Sequence, residues 1–119
     1  MQNQERVRVA LIGYGYWGPN LARNFYQLPG VRLDYVVDRD ETARERAARL
    51  YGCAGAEDAN VVLGDAGIDA VIIATPARTH YTLTKRALEA GKHVFVEKPL
   101  TMDVGEAEEV VALADRLGR

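Results

Sequence analysis

Short apolar runs alternate with longer stretches of helix-forming residues along this chain. The segment 70–74 is continuously apolar, which is typical of a strand in a sheet covered on both faces. The predicted strands are Val7–Ile12, 33–37, Ala54–Ala56, 70–74 and His93–Val96. Ala54–Ala56 has poor strand propensity, and we assign it because the alternation of the other elements calls for a strand there.

The intervening stretches predict helices, several of which end at a glycine in the C-cap position. The predicted helices are 19–27, Glu41–Tyr51, 58–63, 80–90 and Val104–Leu117. In the last helix, Asp103 and Glu106 have the spacing of a capping box. The apolar residues of that helix recur along one face, and we expect this face to be its buried one. They are Val104, Ala107, Val111, Ala114 and Leu117.

The alternation of strand and helix predicts an α/β fold with a doubly wound parallel sheet of five βα units. We expect residues 1–119 to form one domain, because the chain contains no linker, repeat or low-complexity segment. In such a sheet, ligands bind in the crevice at the carboxyl ends of the strands.

A glycine motif of the form G-x-G-x-x-G follows the first strand directly and leads into the first helix. Gly13 allows the tight turn, Gly15 lets the backbone approach a pyrophosphate, and Gly18 lets the helix pack close to the strand. The N–H groups near Tyr16 and Trp17 are then expected to face the phosphates at the positive end of the helix dipole. This strand-turn-helix context predicts a dinucleotide site.

The aromatic residues of this loop allow two interpretations. Tyr14, Tyr16 and Trp17 flank the predicted phosphate site. They either cover the cofactor or face a partner surface, and the sequence does not choose between these roles.

Asp38 follows the second predicted strand, about twenty residues after the glycine motif. An acid at this place usually binds the hydroxyls of the adenosine ribose and repels a 2′-phosphate, which favours NAD over NADP. Arg39 stands next to it, and a guanidinium there is suited to receive the 2′-phosphate instead. We therefore predict NAD as the cofactor, with NADP as the less favoured alternative.

Two further segments leave the carboxyl ends of predicted strands. After the fourth strand, Thr75 is placed to hydrogen-bond the cofactor, and Pro76 fixes the turn. His80 is counted among the cofactor-binding candidates; a role in proton transfer is open to it, but its place at a helix start favours a structural histidine at least as strongly. After the fifth strand, Glu97 and Lys98 precede a proline, and a lysine there can orient a substrate oxygen or serve in proton transfer.

Composition narrows the functional classes. The chain has 15 Lys and Arg against 17 Asp and Glu, a net charge of −2 at pH 7, so we expect neither nucleic acid nor an anionic membrane as a partner. We predict no metal site. The single Cys53 suits a reducing compartment, and no apolar run is long enough to span a membrane. A cytoplasmic location is the resulting expectation.

Taken together, these motifs resemble the N-terminal domain of the glucose-fructose oxidoreductase/inositol dehydrogenase (Gfo/Idh/MocA) family. The residues that carry the resemblance are Gly13-Tyr14-Gly15-Tyr16-Trp17-Gly18, Asp38, Thr75-Pro76 with His80, and Glu97-Lys98-Pro99. The segment 15–20 is most similar to members that oxidise nucleotide-activated sugars. Ala77 departs from members that carry Asn after Thr-Pro.

The resemblance implies a Rossmann fold and an NAD-dependent dehydrogenase as the parent enzyme. The position of Lys98 corresponds to the family lysine near the nicotinamide and the substrate hydroxyl, and Glu97 to a residue against the nicotinamide. Family members continue with a sixth strand and a substrate domain that this chain lacks. We therefore expect an isolated or truncated cofactor domain that binds dinucleotide but turns over poorly or not at all. We also expect self-association, through pairing of an uncovered sheet edge or through an exchanged element.

Two alternatives to a dehydrogenase domain remain. The first is a non-catalytic dinucleotide-binding module that senses redox state or acts as a scaffold. The second is a domain whose ligand site is vestigial. Lys98 separates the first alternative from the dehydrogenase, because only a catalytic role requires it. The second alternative predicts no dinucleotide binding at all.

Overall fold

The computed structural model describes residues 6–119, which form five strands and five helices. The strands are β1 (Val7–Ile12), β2 (Val31–Val37), β3 (Ala54–Ala56), β4 (Ala70–Ile73) and β5 (His93–Val96). The helices are α1 (Gly18–Gln27), α2 (Glu41–Tyr51), α3 (Ala59–Leu63), α4 (His80–Glu89) and α5 (Val104–Leu117). The 3₁₀ turn Ala77–Thr79 directly precedes α4, and it was not predicted from the sequence.

The strands form one sheet in the order β3-β2-β1-β4-β5, and every pair in it is parallel. The chain moves outward from β1 to β3 and then crosses back to β4 on the other side of β1. Ligands of doubly wound sheets bind in the crevice at such a reversal of strand order. The predicted fold class is confirmed, and the crevice lies between the carboxyl ends of β1 and β4.

Both faces of the sheet are covered. Successive residues of β1 point to opposite faces, so Ala10 belongs to one core cluster and Leu11 to the other. The first cluster contains Val62 of α3 and Ala87 of α4, whereas the second contains Ala22 of α1 and Ala47 of α2. This two-sided burial explains why the strands are apolar runs rather than alternating patterns.

The weakest predicted strand is present. β3 pairs with β2 through the parallel register Tyr35 to Ala54 and Val37 to Ala56. Its small residues lie against α2, where an added Cβ on Gly55 would stand 3.2 Å from the Cβ of Arg44. The sheet, rather than strand propensity, therefore determines this element.

The predicted buried face of α5 is wrong in part. Val110 and Leu113 are its buried residues, while Val104, Val111 and Leu117 are exposed. Ala107 and Ala114 of the predicted stripe lie at the border and are half-buried. The helix packs on α4, where Leu88 joins Val110 and Leu113 in a small cluster, and Val94 of β5 and Leu100 also pack against it. These contacts bury the adjacent stripe. Among the described helices, none has the length and hydropathy needed to cross a bilayer.

Candidate functional site

The turn after β1 is built on Gly13. Its φ of +102° lies in the left-handed region, and its N–H donates to the Val37 carbonyl at 2.8 Å. An added Cβ would stand 2.8 Å from the Ala74 carbonyl oxygen, so only glycine fits between the ends of β1 and β4. The turn thus reaches the crevice at the point where the strand order reverses.

The other two glycines of the motif have opposite surroundings. A Cβ on Gly18 would stand 2.4 Å from the Gly13 carbonyl oxygen, which shows how closely α1 approaches the turn. A Cβ on Gly15 would meet nothing within 4 Å. Gly18 is therefore required by the fold itself, whereas Gly15 leaves space open in front of the backbone.

Backbone donors face this open space. Within residues 6–119, no hydrogen bond engages the N–H groups of Gly15, Tyr16 or Trp17. Trp17 is the N-cap of α1 without a side-chain cap, and a proline occupies the first turn. Adjacent free N–H groups at a helix N-terminus form an anion site of the kind that holds a pyrophosphate.

The aromatic residues of the loop separate into two groups. Tyr14 is buried in the core cluster beneath α1 and α2, with 6% of its surface exposed. Burial, together with the neighbouring Tyr51 hydroxyl, raises the pKa of Tyr14 to about 12. Tyr16 and Trp17 are exposed and pack edge to face, with ring centroids 5.1 Å apart. Tyr14 is thus a core residue, and only the other two aromatics border the crevice.

Asp38 holds two backbone segments together. Its Oδ2 accepts a hydrogen bond from the Tyr14 N–H, and its Oδ1 accepts one from the Asp40 N–H, each at 2.8 Å. The half-buried carboxylate therefore links the glycine turn to the loop after β2. Each carboxylate oxygen has a second lone pair, so the group keeps acceptor capacity for a ligand hydroxyl.

Arg39 is exposed beside Asp38 and lines the same crevice. The backbone around it is fixed by Arg44, whose Nη1 donates to the carbonyls of Asp38 and Arg39 at 3.1 and 3.0 Å. The loop after β2 thus presents a carboxylate and a guanidinium side by side, as the sequence suggested.

The loop after β4 is held by hydroxyl contacts. The Oγ1 atoms of Thr75 and Thr79 lie 2.6 Å apart, and Thr79 Oγ1 donates to the Pro76 carbonyl at 2.6 Å. The side chains of Thr75 and Pro76 line the crevice. Part of the hydrogen-bonding capacity of Thr75 is therefore used within the loop, and a lone pair remains for a ligand.

His80 is buried, with 2% of its surface exposed. Its Nδ1 lies 2.7 Å from the Pro99 carbonyl oxygen, and its Nε2 lies 2.8 Å from the Thr75 carbonyl oxygen. Both ring nitrogens are therefore engaged by the protein backbone. The structure places this predicted cofactor residue between two loops, not on the surface of the crevice.

Glu97 and Lys98 follow β5 at the side of the sheet formed by the carboxyl ends of the strands, where β4 also ends. Ile73 and Val96 are register partners, so the segments that follow them leave the sheet side by side. Glu97 is half-buried, Lys98 is exposed, and the Lys98–Pro99 peptide bond is cis. Within the described chain, neither side chain forms an ion pair or hydrogen bond.

These elements enclose an open cavity of about 1420 Å³. The predicted residues on its wall are Gly13, Gly15, Tyr16, Trp17, Asp38, Arg39, Thr75 and Pro76. The other predicted site residues do not line this cavity within residues 6–119. They are Gly18, His80, Glu97 and Lys98. A dinucleotide fits these groups. The free N–H groups can bind its phosphates, the Asp38 carboxylate can accept from its ribose, and the open space at Gly15 lets the phosphates come close to the backbone.

Part of the cavity wall was missed in the sequence analysis. Arg78, Thr82 and Arg86 also line the cavity, and Arg86 Nη2 donates to Asn60 Oδ1 of α3. These three residues follow one another at intervals of four, which places Thr82 and Arg86 on one face of α4. That spacing, which begins three residues after Thr75, was the available signal.

A parallel sheet with a glycine turn at its switch point and an acid after the second strand defines a dinucleotide-binding Rossmann domain. Residues 7–119 match the family model described as "Oxidoreductase family, NAD-binding Rossmann fold" (GFO_IDH_MocA). The chain belongs to this family, and the resemblance predicted from the motifs is confirmed.

Known relatives agree with this assignment. The scyllo-inositol 2-dehydrogenase (NAD(+)) of Bacillus subtilis is 42% identical over 107 residues, which cover 88% of this chain and 31% of that protein. A crystal structure of GenD2 from gentamicin A biosynthesis in complex with NAD superimposes with a TM-score of 0.92 at 35% identity. It matches 98% of this chain and 34% of that one.

A second structural neighbour carries the other cofactor. KijD10, a 3-ketoreductase from Actinomadura kijaniata in complex with NADP and TDP-benzene, has a TM-score of 0.91 and is 30% identical. It matches 96% of this chain and 35% of that one. The chain thus spans about a third of the length of these relatives. It is the NAD(P)-binding domain of an oxidoreductase.

Proposed function

We propose that this domain serves hydride transfer between a nicotinamide cofactor and a secondary hydroxyl of a sugar, polyol or nucleotide sugar. The observation that carries the cofactor half is the set of three free N–H groups facing a cavity beside Asp38. The substrate class rests on the relatives, which include an inositol dehydrogenase and a 3-ketoreductase crystallised with a TDP compound.

In this proposal, each predicted residue has a definite task. The N–H groups of Gly15, Tyr16 and Trp17 hold the pyrophosphate, since these residues line the cavity at the start of α1 and their N–H groups have no partner within residues 6–119. Asp38 accepts from the adenosine ribose hydroxyls with its remaining lone pairs, and a 2′-phosphate there would meet its negative charge. NAD is therefore the preferred cofactor, with Arg39 as the group that would assist NADP.

Lys98 has the catalytic task. When bound, NAD accepts the hydride that leaves the carbon of a secondary alcohol. Lys98 orients the hydroxyl of that alcohol and takes part in the removal of its proton, and Glu97 lies against the nicotinamide side. The position of both residues at the end of β5, beside the end of β4, supports this arrangement.

Calorimetric titration of the chain with NAD, NADH and NADPH tests the cofactor half of the proposal. We expect NAD and NADH to bind more tightly than NADPH. Trp17, the single tryptophan, stands on the phosphate loop, so its fluorescence gives an independent binding signal. A folded chain that binds none of the three would support the hypothesis of a vestigial site.

Turnover tests the catalytic half. Binding of substrate against the nicotinamide contributes several orders of magnitude to a hydride-transfer rate, and the cavity described here holds residues for the cofactor only. We expect this chain to form NADH from inositol or nucleotide sugars slowly or not at all. Efficient reduction of NAD by the purified chain would contradict this. In a longer relative, replacing the residue that matches Lys98 should abolish turnover and spare cofactor binding, whereas a sensor would be unaffected.

We also propose a cytoplasmic location, which suits a chain with a single cysteine.

Self-association of the chain is a further part of the proposal. β5 is an edge strand, and Phe95 on it is 48% exposed while it packs edge to face on Phe25. Pairing of two such edges would cover this surface. Light scattering over a wide concentration range should reveal a dimer, and a strictly monomeric chain would count against it.

A further inference from the structure

The histidine at the start of α4 connects the two loops that carry the proposed cofactor and catalytic residues. We propose that His80 is a positioning residue, which fixes the Lys98–Pro99 corner relative to the loop of Thr75. The inference rests on the proposed function for its purpose, but the geometry that carries it is independent of any ligand.

The first step is the hydrogen bonding of the two loops. The last backbone hydrogen bond between them runs from the Glu97 N–H to the Ile73 carbonyl at 3.1 Å. Beyond that bond, within residues 6–119, the ring of His80 is the only group that hydrogen-bonds to both the loop 74–79 and the loop 97–103. Farther along, Tyr81 and Lys85 of α4 contact Glu109 of α5. The sheet ladder therefore stops just before Lys98, and the histidine continues the connection.

The second step is the rigidity of the connection. His80 opens α4, whose Ala87 and Leu88 are buried in core clusters, so the ring is anchored on a packed helix. The ring is buried, and it reaches the Pro99 carbonyl at 2.7 Å and the Thr75 carbonyl at 2.8 Å. Both partners are carbonyl acceptors, so a neutral ring donates to one of them, and only the doubly protonated ring donates to both at once.

The third step is the position of Lys98. Its exposed side chain has no hydrogen bond or ion pair within the described residues, so no contact of its own fixes its place. The carbonyl held by His80 belongs to the next residue, Pro99. A lysine that must meet a hydroxyl beside the nicotinamide needs a fixed backbone, since a displacement of about 1 Å can cost about a hundredfold in rate.

Two conservative variants separate the two contacts. His80→Asn places an amide N–H near the position of Nδ1 and keeps a donor for Pro99, whereas His80→Gln places one near Nε2 and keeps a donor for Thr75. His93→Asn is the matched control, because His93 is the only other histidine and is exposed. The comparison is made on the ¹⁵N-labelled chain without cofactor.

Backbone order parameters from ¹⁵N relaxation give the decisive readout. We expect His80→Gln to lower the order parameter of Lys98 from rigid values near about 0.85 to below about 0.6, and to leave Thr75 rigid. His80→Asn should spare Lys98. A merely structural role would loosen both loops equally in both variants, and that result, or an unchanged Lys98 in His80→Gln, would overturn the proposal.

The wild-type chain provides a test that needs no variant. The ring of His80 is buried, so a ring N–H that is bonded to the Pro99 or Thr75 carbonyl should be visible in the proton spectrum and protected from solvent exchange, unlike that of the exposed His93. Rapid exchange at both nitrogens of His80 would also overturn the proposal. Addition of NADH then tests the proposed function separately, because binding should shift the amide signals of Gly15, Tyr16 and Trp17. If these signals do not shift, the proposed cofactor site is wrong, and the result for His80 still stands.

Discussion

Asp38 Oδ2 accepts a hydrogen bond from the backbone N–H of Tyr14 at 2.8 Å. The acid expected to select the cofactor therefore also supports the turn that we propose as the phosphate site. Its second oxygen holds the Asp40 N–H, so the loss of the carboxylate releases two backbone donors at once. We therefore expect cofactor preference and loop geometry to be coupled through this one side chain.

We expect Asp38→Ala to weaken NADH binding by at least about tenfold, because a hydrogen bond to a charged group is worth about 1.5–3 kcal/mol. Removal of a negative charge alone would favour NADPH. We expect no such gain in Asp38→Ala, because the glycine turn also loses the hydrogen bond from the Tyr14 N–H to the carboxylate. Calorimetry with both cofactors measures the effect. Asp103→Ala is the control, because Asp103 caps α5 and should cost only stability, about 0.5–2 kcal/mol. An Asp38→Ala chain with wild-type NADH affinity would contradict this coupling.

The glycines of the turn should respond differently to the same substitution. Gly18→Ala places a Cβ 2.4 Å from the Gly13 carbonyl oxygen, and we expect a loss of about 1–3 kcal/mol or more in the free energy of unfolding. Gly15→Ala meets no protein atom within 4 Å, so stability should be kept while dinucleotide affinity falls. Denaturant unfolding and Trp17 fluorescence titration measure the two effects.

Gly30→Ala is the matched control for this series, because a Cβ there also meets nothing within 4 Å and the residue lies away from the cavity. It should change neither stability nor binding appreciably. Full NADH affinity in Gly15→Ala would show that the phosphates do not approach this part of the backbone.

The sequence predicted the elements whose causes are local. The glycine turn follows from steric requirements at Gly13 and Gly18, and the apolar run of β4 follows from burial on both faces. The cap of α5 was also predicted, since Asp103 accepts from the Glu106 N–H at 2.8 Å. In these cases the sequence signal is local, although Gly13 also meets Ala74 and β4 packs on distant helices: the motif glycines lie within six positions, the apolar run is continuous, and Asp103 and Glu106 are three apart.

The features that escaped prediction depend on distant partners. The ring of His80 meets a carbonyl 19 residues away, and no local pattern marks Pro99 as that partner. The buried face of α5 depends on where α4 lies, because the helix carries apolar residues on two adjacent stripes. Tyr14 was grouped with its exposed neighbours because sequence position alone does not show which side chain points into the core.

The corrected face of α5 gives a matched pair of leucine substitutions. Leu113 is 7% exposed and packs on Leu88, whereas Leu117 is 40% exposed on the same helix. We expect Leu113→Ala to lower the free energy of unfolding by about 2–5 kcal/mol and Leu117→Ala to change it by about 0.5 kcal/mol or less. Urea unfolding of both variants checks this, and equal losses would restore the face predicted from the sequence.

Burial of Tyr14 should make the fold sensitive to alkaline pH. Its pKa is raised from 10.0 to about 12, mainly by desolvation, so the folded state holds the neutral phenol more strongly than the unfolded chain does. This contribution is complete below pH 10 and is lost as pH rises through 12, which amounts to about 2–3 kcal/mol.

The measurement is the urea midpoint between pH 9 and pH 12, compared between the wild type and Tyr14→Phe, which keeps the ring and removes the ionisable hydroxyl. We expect the variant to lose less stability over this interval, because position 14 then has no phenol that ionises in the unfolded state. Tyr16→Phe makes the same chemical change on a side chain that is 85% exposed and should follow the wild-type curve. Identical curves for Tyr14→Phe and the wild type would mean that Tyr14 does not hold its proton more tightly in the folded chain.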